Sequence, residues 1–446
     1  MAPKGLPYNP ADVDSIVEYA VRLEGHTLRE FLGLQSIEDP HKRRGAFGDA
    51  LEKDYFLLEL NSSPEPDFKE VGLELKSTPL KRNAKGRLSA KERLTVGQIN
   101  YMDVVDETFE TSHFRKKIKD VLIVSYEWVK DISPVDYVVD LVFRWHIPEE
   151  DLPQIRHDWE TVVGKIRAGH AEDISCSDTI YLEAVTKAAN SRVTTPQPFS
   201  PVEAKPRAWA FKRSYMDGVT NGQLNKKVQR IKRSREEEEA DLLTLVRARF
   251  GPYFGKTDKE LLAELGISSS KSSAARVTNR ILGVGDSDHI VEFEKAGIKP
   301  KTMKLRKTGT PIEALSFPSF DYFELESRPF EESDFFGYLQ QMYLFVIYRE
   351  DGGGANRLSD VCFWQMPDKD YPEAKRCYEQ MQQYVREGKA ERSVLSSENR
   401  CCHVRPHGQL GSDTRPQPHG EPVTKKSFWL NAGYLKGEVA RVLGES

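Results

Sequence analysis

The chain has 446 residues, which is enough for two or three domains, and its 38% hydrophobic and 30% charged residues are typical of a globular protein. The 65 basic and 69 acidic residues give a net charge of -4, which excludes a surface that is positive all over but allows local basic patches that bind nucleic acid. The sequence has no apolar run near the roughly 20 residues that cross a bilayer, no signal-peptide pattern at its start and no C-x-x-C pair among its five cysteines, so it predicts a cytoplasmic protein that binds no membrane.

Helical and strand-like periodicities alternate along the chain. Strands are predicted at 71–76, 121–126, 138–144 and 343–348. Helices are predicted at 12–33, 41–57 and 241–265. This mixture predicts an α/β (α+β mixed) fold class.

A sharp change in composition separates two halves of the chain. A basic run that begins at Lys226 is followed at once by glutamates at 236–239, a pattern typical of a solvated helix or linker. Segments on either side match in the same order at an offset of about 225 residues, for example Phe68–Ser77 with Phe293–Thr302, which indicates a duplication. We expect domains at 1–220 and 241–446, joined by a charged linker at 221–240.

The candidate catalytic residues lie on the strand predicted at 71–76. Alternation puts Glu74 and Lys76 on one face, and Asp67 can fold back toward that face. Two carboxylates bind a hard cation such as Mg²⁺, which lowers the pKa of a bound water, while a lysine orients that water or stabilises charge on a phosphate. The pattern D-x6-E-x-K is therefore typical of metal-dependent phosphodiester cleavage, although a solvated strand face can carry the same residues.

Charged residues on both sides extend this candidate site. Glu52 lies on a predicted helix and is either a third carboxylate of the site or an ordinary surface residue. Residues 76–93 contain one acid and a set of cations that suits phosphate contacts or forms a basic surface loop. These cations are Lys76, Lys81, Arg82, Lys85, Arg87, Lys91 and Arg93.

Five motifs in the first half point to a known family. They are G-D-A-L-E at 48–52, V-G-L-E-L-K-S-T at 71–78, E-T-S-H-F-R-K-K at 110–117, K-A-A-N-S at 187–191 and P-R-A-W-A-F-K at 206–212. Through these motifs the first half resembles the MutH family of DNA endonucleases along most of its length. The duplicated layout is similar to the two-domain GATC-cutting restriction enzymes of that family. Two motifs of their second half stand here as C-H-V-R-P-H at 402–407 and T-K-K-S-F-W-L-N at 424–431. The resemblance implies two tandem restriction-endonuclease-like domains of the PD-(D/E)xK type.

The resemblance also implies roles for individual residues. Asp67 and Glu74 would ligate Mg²⁺, and Lys76 would position the attacking water. Glu52 and Lys117 would complete the catalytic group, with the adjacent Lys116 as the alternative lysine. The implied DNA-binding residues are Lys187, Arg207 and Trp209 in the first half and Arg405, Pro406, Lys426 and Trp429 in the second, where Trp429 could equally be a core residue.

The second half lacks the catalytic pattern. The internal alignment pairs Asp67 with Glu292, Glu74 with Lys299 and Lys76 with Lys301. A lysine in place of the second carboxylate would repel a metal ion. We therefore expect the second domain to be catalytically degenerate, to bind another copy of GATC and to act as an allosteric effector.

The leading hypothesis is a type II restriction endonuclease that uses Mg²⁺ to cut double-stranded DNA at GATC, before the G. It would be a monomer in solution that can dimerise on DNA, with a cognate methyltransferase in the host. A strand-nicking endonuclease of mismatch repair and a non-catalytic DNA-binding protein are the alternatives. A plasmid assay distinguishes the first alternative from the leading hypothesis, because a repair enzyme nicks one strand and a restriction enzyme cuts both. The presence of Asp67, Glu74 and Lys76 argues against a non-catalytic protein.

Overall fold

Two compact units make up the chain in this computed structural model, which describes residues 5–33, 45–59, 65–82, 86, 88–187, 192–224, 229–270, 273–285, 290–408 and 413–445. Unit 1 comprises residues 1–174, 178–227 and 294–296, and unit 2 comprises 175–177, 228–293 and 297–446. Both units contain helices and strands, so the predicted mixed α/β class is confirmed.

Unit 1 is built on a mixed sheet with strand order β2-β1-β4-β5, beside a smaller sheet β3-β9-β6 and a hairpin β7-β8. In the larger sheet β1 runs parallel to β4, and β5 runs antiparallel to β4. The strands are β1 (Glu74–Arg82), β2 (Leu88–Ala90), β3 (Leu94–Gln98), β4 (Val121–Glu127), β5 (Val139–Trp145), β6 (Leu182–Thr186), β7 (Thr195–Gln197), β8 (Ser200–Ala204) and β9 (Arg207–Phe211).

Unit 2 repeats most of this arrangement, without a counterpart of β2 among its described residues. Its sheets have strand orders β10-β12-β13 and β11-β17-β14, with a hairpin β15-β16, and β10 again runs parallel to β12 while β13 is antiparallel to it. The strands are β10 (Ile298–Leu305), β11 (Leu315–Ser316), β12 (Met342–Glu350), β13 (Asn356–Trp364), β14 (Cys402–Pro406), β15 (Thr414–Arg415), β16 (Val423–Thr424) and β17 (Lys426–Leu430).

The helices strengthen the correspondence between the units. The strand pairs β4-β5 and β12-β13 are each followed by a helix of 16 residues with a proline near its start, α6 and α14. The helices up to residue 224 are α1 (Val13–Val21), α2 (Leu28–Leu32), α3 (Ala46–Ala50), α4 (Tyr101–Val104), α5 (His113–Lys117), α6 (Leu152–Arg167) and α7 (Arg213–Leu224). The later helices are α8 (Leu242–Phe250), α9 (Asp258–Glu264), α10 (Ser273–Ile281), α11 (Val291–Ala296), α12 (Tyr322–Ser327), α13 (Asp334–Leu339), α14 (Tyr371–Arg386) and α15 (Ala432–Leu443).

Most predicted elements are present, but several boundaries differ. The strand predicted at 71–76 begins only at Glu74, because the preceding residues form a turn in which Gly72 has φ of +68°. The helix predicted at 241–265 is interrupted between α8 and α9, where Gly255 has φ of +83°. The helix predicted at 41–57 continues from α3 as a π-helical turn, Leu51–Tyr55, and its first residues lie outside the described part of the chain.

Each unit has its own apolar core. In unit 1, side chains of α1 and α3 such as Ile16 and Phe47 pack with Leu75 of β1 and Val124 of β4. In unit 2 a larger cluster joins the inner faces of β12 and β13 to α14. The cores hold β1 and β10 in place along most of their length while the first residues of each strand carry charged side chains. Across the described ranges, no helix is both long and apolar enough to cross a membrane.

Candidate active site

Asp67 is held at the entrance to β1 by the backbone of the strand itself. Residues 68–73 fold into a turn in which Phe68 and Leu73 form an isolated bridge. The turn brings the Asp67 carboxylate back to β1, where its Oδ2 accepts a hydrogen bond of 2.9 Å from the Leu75 N–H. The predicted folding back of Asp67 toward the strand that carries Glu74 and Lys76 therefore occurs, and a hydrogen bond from the Leu75 backbone N–H holds Asp67 there.

Glu74 is the most enclosed acid of the group, with 1% of its surface exposed. Its Oε1 accepts a hydrogen bond from Lys76 Nζ at 2.5 Å and lies 3.3 Å from Lys117 Nζ. Its Oε2 is buried and has no hydrogen-bond partner among the described residues. Lys116, the alternative to Lys117, is exposed. A buried carboxylate oxygen without a partner is rare in native proteins and suits a group that binds something else.

Glu52 approaches the same place from the π-helical turn that follows α3. Burial raises its pKa to about 7, and the nearby Asp67 carboxylate adds to the rise. The approach depends on Gly48, since a Cβ there would lie 3.1 Å from Ser77 Oγ of β1. Three carboxylates and two lysines thus converge at the beginning of β1.

Replacing Glu52 with glutamine is expected to stabilise the metal-free protein at pH 8. Folded Glu52 keeps its proton up to about pH 7, whereas the unfolded chain releases it near 4.3, so the free energy of unfolding falls as the pH rises through this interval. Above pH 7 the folded protein bears the full free-energy cost of ionising Glu52 in a half-buried position. Glu52→Gln removes this cost, and we expect it to raise the free energy of unfolding by about 1–2 kcal/mol there. Urea unfolding in EDTA at pH 4.5 and pH 8 measures this, and an equal gain at both values would contradict it.

The donor set fits a hard divalent cation. Mg²⁺ prefers carboxylate oxygens and keeps several waters, and the beginning of β1 offers the partnerless Oε2 of Glu74 together with the carboxylates of Asp67 and Glu52. A different group, His170, Glu172 and Asp173, has its ligand atoms within 4.8 Å of one another, but all three residues are exposed. Exposed acids often lie together without an ion, and no buried ligand supports this second group as a metal site.

The cations that follow β1 are less available than the sequence suggests. Arg82 is bound to Glu127 by two hydrogen bonds, of 3.0 and 2.8 Å. Lys91 pairs with Glu92 and lies 4.5 Å from the centre of the Trp128 ring. Lys85 and Arg87 lie outside the described residues. Part of this predicted phosphate-binding run therefore has partners within unit 1.

Of the DNA-binding residues predicted in unit 1, Lys187 is exposed. It lines an open pocket with Gln98, Asn100 and Thr194, whose amide and hydroxyl groups suit base edges or phosphates. Arg207 and Trp209 require a correction. Arg207 is 6% exposed and donates hydrogen bonds to the carbonyls of Ala184 and Ile174.

Trp209 is enclosed by other aromatic rings. Only 3% of its surface is exposed, and its ring lies 5.6 Å from that of Phe114 and 6.3 Å from that of Trp159. Direct contact with DNA by Arg207 or Trp209 would require them to leave these interior positions. Both residues support the small sheet β3-β9-β6 that carries Lys187 beyond the end of β6.

In unit 2 the predicted residues Arg405, Pro406 and Trp429 come together on adjacent strands. Arg405 and Pro406 are exposed at the end of β14, and the Arg405 guanidinium carbon lies 3.6 Å from the centre of the Trp429 ring on β17. This stacking fixes the plane of the guanidinium while leaving its N–H groups at the surface. Together with His403 and His407, Arg405 and Trp429 form a surface that we call the recognition face.

The two histidines of the recognition face were not predicted as DNA-binding residues. His403 pairs across the strands with Trp429, its ring lies 6.3 Å from the indole, and its Nδ1 is 2.6 Å from Asn431 Oδ1. His407 lies 5.2 Å from the same ring, and its Nδ1 is bonded to Ser427. Alternation along β14, which gives His403 and Arg405 one face, was the signal that could have identified them.

Lys426 also requires a correction, because its side chain is directed into unit 2. It is 3% exposed, and its Nζ donates hydrogen bonds of 2.8, 2.8 and 2.5 Å to the carbonyls of Ala390, Glu391 and Arg392. Burial lowers its pKa to about 8. Lys426 ties β17 to the segment that follows α14 and has no free N–H for DNA.

We expect Lys426→Met to destabilise unit 2 by about 2–4 kcal/mol, because three carbonyls would lose a charged donor. The salt dependence of DNA binding should not change. Urea unfolding and binding titrations at several salt concentrations measure the two effects, with the partly exposed neighbour Lys425→Met as the control. A stable Lys426→Met protein with a reduced salt dependence would contradict this role.

Comparison with known proteins finds a family match over part of unit 1. The family model described as DNA mismatch repair enzyme MutH matches residues 56–158, which include Asp67, Glu74, Lys76 and Lys117. The DNA mismatch repair protein MutH of Shigella flexneri serotype 5b (strain 8401) is 31% identical over 196 residues, covering 43% of this chain and 83% of that protein. The chain belongs to the MutH family.

Two further relatives of this MutH-family chain differ in how much of it they cover. MutH of Escherichia coli (strain K12) is 32% identical over 196 residues, which again cover 43% of this chain and 83% of that protein. The type II restriction enzyme Sau3AI of Staphylococcus aureus is 29% identical over 477 aligned positions, covering 94% of this chain and 96% of that enzyme. The second relative therefore extends along both units.

Proposed function

We propose that this MutH-family chain is a type II restriction endonuclease that cuts both strands of duplex DNA at GATC, before the G, and leaves 5′ GATC overhangs. The observation that carries the chemistry is Glu74, buried between two lysines with one oxygen lacking a partner among the described residues. The similarity to a type II restriction enzyme over 94% of the chain supports double-strand cleavage rather than repair. Such an enzyme acts beside a cognate methyltransferase that protects the host DNA.

In the proposed reaction, water attacks phosphorus in line and the products carry a 5′-phosphate and a 3′-hydroxyl. Asp67, Glu74 and Glu52 would hold Mg²⁺, which when bound acidifies water and neutralises charge on the phosphate. Lys76 directs its ammonium group at the carboxylate of Glu74 and can orient the water through a hydrogen bond. Lys117 adds a second positive charge beside the same carboxylate, where negative charge builds up.

Unit 2 is proposed to bind a second GATC copy without cutting it and so to stimulate unit 1. The exposed guanidinium of Arg405, stacked on Trp429, suits a two-bond contact with guanine O6 and N7 in the major groove. Stimulation requires that DNA on unit 2 favours the active state of unit 1, which is a coupling free energy. Lys299, in the position of Glu74, is the reason we propose that unit 2 has no cleavage activity.

Incubation with Mg²⁺ and unmethylated plasmids that carry zero, one or several GATC sites tests the proposal. We expect linear products with GATC ends, formed faster on the multi-site plasmid, and no cutting in EDTA. Equal rates on one and several sites would remove the effector role but keep the nuclease. Nicked circles alone would favour the strand-nicking function of the mismatch-repair relatives, and intact plasmids would contradict nuclease activity at this sequence.

Arg405→Ala is expected to reduce the rate advantage of the multi-site plasmid. A bidentate arginine–guanine contact contributes about 1–3 kcal/mol of discrimination, so the affinity of unit 2 for GATC should fall roughly 5- to 150-fold. Arg392→Ala is the matched control, since Arg392 is also exposed in unit 2 and stacks on Tyr384 at 5.1 Å. An unchanged rate advantage in Arg405→Ala would contradict recognition by this residue.

A further inference from the structure

Lys299 and Lys301 form an exposed basic pair at the beginning of β10. Both side chains are exposed, and because they are two residues apart they share one face of the strand. Neither makes an ion pair with an acid in the described part of the chain. Lys304, on the opposite face of β10, is different because its Nζ bonds to Asp258 at 2.9 Å. The pair therefore leaves two positive charges without a counterion among the described residues.

Strand register shows that this pair occupies the position of the catalytic residues of unit 1. Glu74 is paired with Val121 on the neighbouring parallel strand, and Val121 is paired with Trp145 on the third strand. In unit 2, Lys299 is paired with Tyr343, and Tyr343 is paired with Trp364. The next side chains on the same face are buried in both strands. They are Thr78 and Leu80 in β1 and Met303 and Leu305 in β10. Lys299 thus corresponds to Glu74, and Lys301 to Lys76.

Other residues of the proposed metal site of unit 1 also have counterparts in unit 2 that do not suit a metal. Leu75, whose N–H holds Asp67, corresponds to Pro300, which has no N–H to donate. Glu292, the counterpart of Asp67, is 4% exposed and accepts a hydrogen bond of 3.2 Å from the Ile231 N–H instead. The glycine before the strand is kept, because Gly297 has φ of +63° where Gly72 has +68°, although α11 stands in unit 2 where unit 1 has a turn. Unit 2 thus has the same glycine conformation and strand register but no acid directed at the beginning of β10 from positions 292 or 299.

We propose that Lys299 and Lys301 bind a phosphate of the DNA backbone directly, as a clamp that needs no metal. In unit 1 a cation held by carboxylates would meet the phosphate at this position, and in unit 2 two ammonium groups replace both the cation and its ligands. This inference rests on the proposed function, because it assumes that duplex DNA approaches the two units in the same way. It adds a positioning contact that is independent of sequence, in the same unit as the recognition face that reads bases.

The test is DNA binding by the full chain in EDTA at several salt concentrations, using duplexes with and without GATC. Each phosphate that a protein neutralises contributes about 0.9 to the magnitude of the slope of log K against log salt, so Lys299→Ala/Lys301→Ala should lower that magnitude by about 0.9. If the variant and the wild-type chain bind DNA equally at 1 M salt, the variant should bind roughly fivefold more weakly at 0.15 M salt. The loss should be the same for both duplexes, and Lys299→Arg/Lys301→Arg should restore most of it.

Lys304→Ala is the control, since it removes a lysine from the same strand but on the opposite face. The inference is overturned if the double variant keeps the wild-type slope, if its slope matches that of Lys304→Ala, or if the wild-type chain binds no DNA in EDTA. Plasmid cleavage by the wild-type chain in Mg²⁺ separates the two proposals. If GATC plasmids are cut while the slope of the double variant is unchanged, the clamp fails and the proposed function stands. If no plasmid is cut while the slope falls, the nuclease fails and the clamp stands.

Discussion

Replacing Glu74 with glutamine is expected to lower the rate of plasmid cleavage by at least about 1,000-fold while DNA binding in EDTA persists. Glutamine keeps the volume of the side chain but removes the negative charge that Lys76 and Lys117 share at Oε1. It also replaces an oxygen that has no partner in the described structure and is available to a cation. Single-turnover cleavage of a GATC plasmid measures the loss, and gel shifts measure binding.

Glu70→Gln is the matched control for this prediction. Glu70 is an exposed acid in the turn before β1, so its replacement changes the net charge equally without touching the buried site. Thermal unfolding of both variants establishes that they fold. A Glu74→Gln protein that is folded and still cuts within tenfold of the wild-type rate would exclude Glu74 as a metal ligand.

Asp158→Ala is expected to destabilise unit 1 by about 3–5 kcal/mol. The carboxylate lies on α6, is 1% exposed and accepts hydrogen bonds from the N–H groups of Ile180, Tyr181 and Leu182 at 2.9, 2.7 and 2.9 Å. Burial raises the pKa of Asp158, and the three N–H groups oppose that rise. Alanine would leave three buried donors without an acceptor at the start of β6.

Urea unfolding of the full chain measures how Asp158→Ala changes the free energy of unfolding. A probe located in unit 1, such as the fluorescence of Trp159, monitors the transition. Glu160→Ala, an exposed acid on the same helix, is the control and should change stability by less than about 0.5 kcal/mol. Because β6 leads directly to Lys187, the variant should also weaken DNA binding. A fully stable Asp158→Ala protein would show that the three donors find other acceptors.

The sequence was enough to bring most of the carboxylates and lysines at the beginning of β1 together, and the limits of the prediction have physical reasons. Glu74 and Lys76 are two residues apart on one strand, so alternation was sufficient to put them on one face. Lys117 is distant in sequence and came only from the family resemblance. It reaches Glu74 because α5 ends just before β4, and the parallel pairing of β4 with β1 sets Val121 beside Glu74. No local pattern contains that pairing.

The buried cations were the main failure of the sequence analysis. The alternation of side chains along a strand assigns Lys426 or Arg207 to one face of the sheet, but it does not show which other parts of the chain pack against that face. For Lys426 the cover is a set of backbone carbonyls at 390–392, and for Arg207 it is the carbonyls of Ala184 and Ile174. Carbonyl acceptors have no signature in the sequence because every residue carries one.

Pro300 has a consequence for how unit 2 can change over evolutionary time. A metal site in unit 2 like the one proposed for unit 1 would require an acid at 299, a residue with an N–H at 300 and release of Glu292 from the Ile231 N–H. None of these single steps alone would give activity, so selection for cleavage has no intermediate to favour. Pro300 therefore makes it improbable that single substitutions in unit 2 would give rise to a metal site like the one proposed for unit 1.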